Sequence, residues 1–124
     1  METEKRLIIL VDDNPANLRI GKNVLSGTYT VATAPSAAKL FELLEHNRPA
    51  LILLDIDMPG MDGYEAIKAL KTNPQTRAIP VIFLTGMAGG GEEARGRELG
   101  AADCVAKPFE PALLSQCIEE HLQP

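Results

Sequence analysis

The chain has 124 residues, 45% hydrophobic and 23% charged, with a net charge of -5 and an isoelectric point near 5.0. That length holds one core and one domain, residues 1–124, and the acidic balance with scattered Lys and Arg argues against direct nucleic-acid binding. The longest apolar run, about five residues, rules out a bilayer span, and the first residues lack a secretory apolar region, so a cytoplasmic location is expected.

Residues 7–12 form the first predicted strand, after which Asp13-Asn14-Pro15 supplies an N-cap and a helix-starting proline. A helix runs to about Leu25 and stops at Ser26-Gly27. Tyr29 to Ala34 reads as a second strand, and Pro35-Ser36 opens a helix with Ala37, Leu40, Phe41 and Leu44 on one face. Leu51 to Asp55 is the third strand. Pro59, Gly60 and Gly63 then punctuate a loop, with Asp62-Gly63 a turn and cap ahead of a helix from Tyr64 to Lys71. Val81 to Thr85 is the fourth strand. A helix from about Glu92 to Leu99 is the weakest element, because its apolar positions are few and Gly96 within it costs ~1 kcal/mol relative to Ala. Asp103 to Ala106 and a helix opened by Glu110-Pro111, with Leu114, Cys117, Ile118 and Leu122 inward, complete the chain.

Five strand–helix units of this kind close as a doubly wound α/β domain with helices on both faces of a parallel sheet. The flavodoxin-like strand order 2-1-3-4-5 sets the first and third strands side by side and brings Asp12, Asp13 and Asp55 to one edge. Thr85 and Lys107 end two further strands at that same edge. Crowded carboxylates repel, and a divalent cation relieves the repulsion. Magnesium suits an all-oxygen set, with Asp13 and Asp55 as direct ligands and Asp12 holding a metal-bound water. Asp55 is the candidate nucleophile toward phosphorus. Lys107 and Thr85 are the candidate contacts to phosphoryl oxygens, with Gly86 leaving room for the group to enter. Zinc is not expected, since His46 and His121 fall in different predicted helices with no Cys or His at ligand spacing. Both histidines are expected at the surface, and Cys104 and Cys117 are expected to be small apolar fillers.

Val11-Asp12-Asp13, Leu54-Asp55-Ile56-Asp57-Met58-Pro59-Gly60-Met61-Asp62-Gly63, Leu84-Thr85-Gly86, Gly100-Ala101-Ala102-Asp103 and Lys107-Pro108-Phe109, in this order and spacing, resemble the receiver domains of two-component response regulators. The resemblance implies the CheY-like fold and phosphorylation of Asp55 by a histidine kinase or histidine phosphotransfer protein. It implies Mg²⁺ held by Asp12, Asp13, Asp55 and the backbone carbonyl of Asp57, and a cis Lys107–Pro108 peptide. Asp57 and Met87 are, by the same resemblance, positions that tune hydrolysis of the phosphoryl group. It further implies a signalling domain with at most slow self-dephosphorylation, read by an output domain or protein, with a homodimer possible. Where such domains carry a Tyr or Phe three residues before the lysine, this chain has Cys104, so the switch pair is Thr85 with a thiol. The expected route of the signal is an order change in segment 86–91 and the fourth helix.

Two rival readings come from other classes. Asp55-Ile56-Asp57 also looks like the D-x-D of haloacid-dehalogenase-like phosphatases, with Asp57 as general acid, although their D-x-D stands in the first strand and a further acidic pair follows their lysine. A module that docks without phosphorylation would not need Thr85, Lys107 and all three acids. With no DNA-binding, cyclase or kinase segment in the residues, a stand-alone regulator and a receiver excised from a larger protein such as a hybrid kinase both stay open.

Overall fold

A computed structural model describes residues 5–86, 91–107 and 110–122, the side chains of 92 and 93 excepted. Met87, Pro108 and Phe109 lie outside the described residues, and with them the glycines 89 and 90 and the Lys107–Pro108 peptide. The elements alternate strictly: β1 (Leu7–Val11), α1 (Pro15–Leu25), β2 (Thr30–Ala34), α2 (Ala37–Leu44), β3 (Leu51–Asp55), α3 (Gly63–Thr72), β4 (Val81–Thr85), α4 (Gly91–Glu98), β5 (Asp103–Ala106) and α5 (Pro111–His121). All five strands are parallel, in the order β2-β1-β3-β4-β5.

β1, β3 and β4 are apolar at nearly every position because both faces of a central parallel strand are covered. One face buries Ile9, Ile52, Leu54 and Phe83 under α2 and α3 residues such as Leu40 and Ile67. The other buries Ile8, Leu10, Leu53 and Leu84 against Leu25 of α1 and Leu114 and Ile118 of α5. Each face removes several large side chains from water, at roughly 1.5–3 kcal/mol apiece.

Element ends follow local hydrogen bonding. β2 begins at Thr30 rather than Tyr29, because the Tyr29 N–H bonds the Leu25 carbonyl and belongs to the turn closing α1. Asn14 caps α1 and Ser36 caps α2, each accepting a backbone N–H. Asp62 and Glu65 form a reciprocal capping box, so α3 starts at Gly63, one residue earlier than the sequence predicts. Removing the cap by Asp62→Ala is expected to cost ~1 kcal/mol in urea unfolding. Gly100 stops the chain after α4 with a left-handed φ of 108°.

α4 is the least anchored helix, with Gly96 its only buried residue among the described side chains. There the glycine is a packing requirement. A Cβ at position 96 would lie 2.6 Å and 2.8 Å from Phe83 ring carbons, and Phe83 is fully buried and cannot move aside. Alanine gains ~1 kcal/mol of helix propensity, but overpacking against a fixed ring costs ~1–3 kcal/mol. Gly96→Ala should therefore lower stability; equal or higher stability by denaturant unfolding would contradict the packing of α4. Arg95 adds a second tie, its guanidinium carbon 4.1 Å from the Tyr64 ring centroid, while Tyr64 meets Phe83 edge to face at 5.6 Å.

Candidate functional site: an acidic pocket at the carboxyl edge

The carboxyl ends of β1, β3, β4 and β5 deliver Asp12, Asp55, Thr85 and Lys107 to one place. The register sets Val11 beside Leu54, Asp55 beside Leu84 and Thr85 beside Ala106, so the residue ending each ladder faces the same edge. The Lys107 N–H bonds the Thr85 carbonyl at 2.7 Å, extending the last ladder by one residue and fixing the base of the lysine.

Asp12, Asp55 and Thr85 are each at most 1% exposed. Carboxylates this buried need partners. The Asp12 Oδ1 accepts the Asn14 N–H at 2.9 Å and its Oδ2 accepts the Asn17 amide at 3.2 Å. The Lys107 Nζ lies 2.9 Å from Asp55 Oδ1 and 3.4 Å from Asp12 Oδ2. The Asp57 N–H also donates to Asp55 Oδ1, at 3.3 Å. Asp55 Oδ2 is buried with no hydrogen-bond partner.

Carboxylate oxygens of Asp12, Asp13 and Asp55 come within 4.8 Å of one another, Asp13 from an exposed position. Three carboxylates against one ammonium leave the pocket with a formal charge of -2. Burial raises the Asp55 pKa to about 6; the Lys107 hydrogen bond opposes this and the Asp12 charge adds to it. For Lys107, burial alone would lower the pKa, but the two carboxylates outweigh it and hold the ammonium above its ordinary value. An all-oxygen donor set, a -2 charge and an orphaned buried oxygen fit a hard divalent cation such as Mg²⁺.

Asp57 and Gly86 are exposed, and among the described residues nothing lies within 4 Å of a Cβ built on Gly86. Cys104 is half-buried against the α3 side of the core, alongside Phe83. Sequence reasoning missed Gly63, whose added Cβ would meet the Asp55 carbonyl oxygen at 2.6 Å and the Ile56 Cα at 2.7 Å. The Gly63 N–H bonds the Ile56 carbonyl at 2.9 Å, so α3 presses directly on the backbone that carries Asp55. In the sequence Gly63 shows only as a turn glycine eight positions after Asp55, which does not reveal this contact.

His46 and Cys104 are placed as expected, while His121 and Cys117 depart from expectation. His46 is exposed, in the turn after α2, but His121 is half-buried, its Nε2 3.1 Å from Asp103 Oδ2. Cys117 stands four residues before His121 on α5, a ligand spacing the sequence reading denied, and its Sγ lies 3.4 Å from the same Asp103 oxygen.

The response regulator receiver domain family model matches residues 8–119. A probable cyclic di-GMP phosphodiesterase of Vibrio cholerae is 44% identical over 116 residues, 94% of this chain and 26% of that protein. The chain spans between 24% and 51% of the length of the first curated relatives it matches. The chemotaxis protein CheY4 of Vibrio cholerae superposes with a TM-score of 0.90 at 26% identity, over 95% of this chain and 99% of that one. The receiver domain of sensor histidine kinase PA1611 from Pseudomonas aeruginosa PAO1 superposes at 0.86 with 30% identity, over 94% and 97% of the chains, and holds a magnesium ion in its active-site cleft. The phosphatase reading falls with these matches, and with Asp55 standing on the third strand of the chain rather than the first. A matched span covering nearly the whole chain, on this strand order, places the protein in the family of response regulator receiver domains, the phosphate-accepting modules of two-component signalling.

Proposed function

We propose that Asp55 accepts a phosphoryl group from the phosphohistidine of a histidine kinase or histidine phosphotransfer protein. The carrying observation is the carboxylate itself: buried, raised in pKa, clasped at Oδ1 by Lys107 and unengaged at Oδ2. In the transfer an Asp55 oxygen forms a bond to phosphorus while the P–N bond to imidazole breaks and the departing ring takes up a proton. Asp12, Asp13, Asp55 and the Asp57 carbonyl are the residues that would hold Mg²⁺, which when bound neutralises charge on the pocket and on the phosphoryl oxygens. Lys107, already 2.9 Å from Asp55, supplies a second positive charge, and Thr85 and Gly86 border the space where the phosphoryl oxygens come to rest.

The domain is a signalling element with slow self-dephosphorylation rather than a turnover enzyme, it acts in the cytoplasm, and it is read by an output domain or protein. Among the described residues no helix is long and apolar enough to cross a membrane. Thr85 and Cys104 bias α4, whose slight burial makes it the element that responds at least cost. Hydrogen exchange over residues 91–100 that is the same before and after phosphorylation would contradict this route.

The transfer is tested with a phosphorylated histidine phosphotransfer protein as donor. Label is expected to pass to this chain in Mg²⁺ and to stay on the donor in excess EDTA. Equal transfer under both conditions would refute the role given to the acids.

A further inference from the structure

Asp103, Cys117 and His121 gather one oxygen, one sulfur and one nitrogen atom within 4.8 Å of one another, at the end of β5 remote from Lys107. The cluster follows from topology. Asp103 opens β5, while α5 runs back across the sheet so that its last turn returns to the start of that strand. Cys117 and His121, at i and i+4, project from one face of α5 toward Asp103. Four residues of extended chain separate the cluster from Lys107, ~13 Å, so it is distinct from the acidic pocket.

We propose that these three side chains form a binding site for a thiophilic divalent cation, Zn²⁺ above others. Sulfur, imidazole nitrogen and carboxylate are the zinc donor types, whereas Mg²⁺ takes oxygen alone. The contacts of 3.1 Å from His121 Nε2 and 3.4 Å from Cys117 Sγ to Asp103 Oδ2 are close to the edges of a tetrahedral zinc site, ~3.4 and ~3.6 Å for ordinary bond lengths. Asp103 is 31% and His121 29% exposed at the side chain, which leaves a path for the ion and a water as fourth ligand. Cys117 is 8% exposed, so the sulfur is held on the inner side.

Among the described residues the charges facing the cluster are Arg97, 3.8 Å from Asp103 Oδ1, the carboxylate oxygen opposite the one that Cys117 and His121 approach, and Glu120, whose charge acts on Cys117. In the ion-free state burial, then the Asp103 and Glu120 charges, keep the Cys117 thiol protonated. A divalent cation reverses that field, as it does for crowded carboxylates, and binding releases the thiol proton to solvent as the Zn–S bond forms. Bound metal would pin the end of α5 to β5. The inference does not rest on the phosphoacceptor role of Asp55.

The test uses the full chain, stripped with chelator and kept in excess Mg²⁺ so that the acidic pocket is occupied. Titration with Co²⁺ is expected to give one equivalent of a near-ultraviolet thiolate-to-cobalt absorption that Zn²⁺ then bleaches. Cys117→Ser should abolish the band and His121→Asn should weaken Zn²⁺ binding at least tenfold, while Asp55→Asn leaves both unchanged. Far-UV circular dichroism checks each fold. His121→Asn, at a half-exposed position, carries the test if Cys117→Ser fails to fold. No thiolate–cobalt band in the wild type, or a band that survives Cys117→Ser, or His121→Asn binding Zn²⁺ as tightly as wild type, would overturn the proposal and leave the cluster a hydrogen-bonded tie between α5 and β5.

Discussion

Lys107→Ala is expected to destabilise the protein in the absence of divalent metal by about 3 kcal/mol, with most of that loss recovered on adding Mg²⁺. Lys107 is the cation within 4.0 Å of the buried Asp12 and Asp55 carboxylates among the described residues, at 3.4 Å and 2.9 Å. Removing one partner of a buried charged cluster costs far more than an exposed pair is worth, because the remaining charges stay out of water without compensation. Two effects limit the loss: Asp55 can take up a proton, and Asn14 and Asn17 still donate to Asp12. Phosphoryl uptake should also slow, on the order of 10²-fold, because a preplaced positive charge at the transferring group is lost. Urea unfolding with and without Mg²⁺ reads the first effect. Stability that is unchanged by Lys107→Ala in EDTA would show the ion pairs to be incidental.

Asp55→Asn is expected to act in the opposite direction on stability, raising that of the metal-free protein at pH 7. The folded-state pKa of Asp55 is raised from 3.8 to about 6, chiefly by burial. Between those values the folded state holds a proton that the unfolded state has lost, so stability is full below pH about 4 and falls as pH rises through about 6. A shift of this size corresponds to roughly 3 kcal/mol at neutral pH. Asparagine carries no charge, so the variant loses the fall and is more stable than wild type above pH 6 while matching it near pH 4. Mg²⁺ should narrow the gap from the other side by stabilising wild type more than the variant, which has one carboxylate fewer to hold it. Thermal unfolding from pH 4 to 8 in EDTA measures this, and a variant that is less stable than wild type at pH 7 would contradict the cost assigned to the buried carboxylate.

Much of this was legible in the residues, because a doubly wound sheet writes itself locally. Leu51–Asp55 and Val81–Thr85 are bounded in the structure as the apolar runs predict, and the pairing of β1 with β3, which the adopted flavodoxin-like order contains, follows once Asp12 and Asp55 must meet. Errors of a residue at Tyr29 and Gly63 came from hydrogen bonds to a preceding turn and to a capping box, which propensity does not see. What stayed hidden were close approaches between distant segments. Gly63 and Gly96 look like breakers in sequence, yet each is glycine because another element occupies the space of a Cβ. The Asp103–Cys117–His121 cluster was hidden for the same reason: the i, i+4 pair is visible on α5, but Asp103 joins it only through the antiparallel return of that helix over β5. The acidic pocket could be foreseen because every member stands at or within two residues past the end of a strand, and ends of parallel strands share an edge.

The most direct test is to locate the phosphoryl group. The protein is incubated with Mg²⁺ and acetyl phosphate, the acyl phosphate is reduced with borohydride, and the position converted to homoserine is mapped by peptide mass spectrometry. Conversion at residue 55 in wild type, with no phosphoryl mass gained by Asp55→Asn, is the expected result; conversion at Asp12, Asp13 or Asp57, or uptake undiminished in Asp55→Asn, would contradict it.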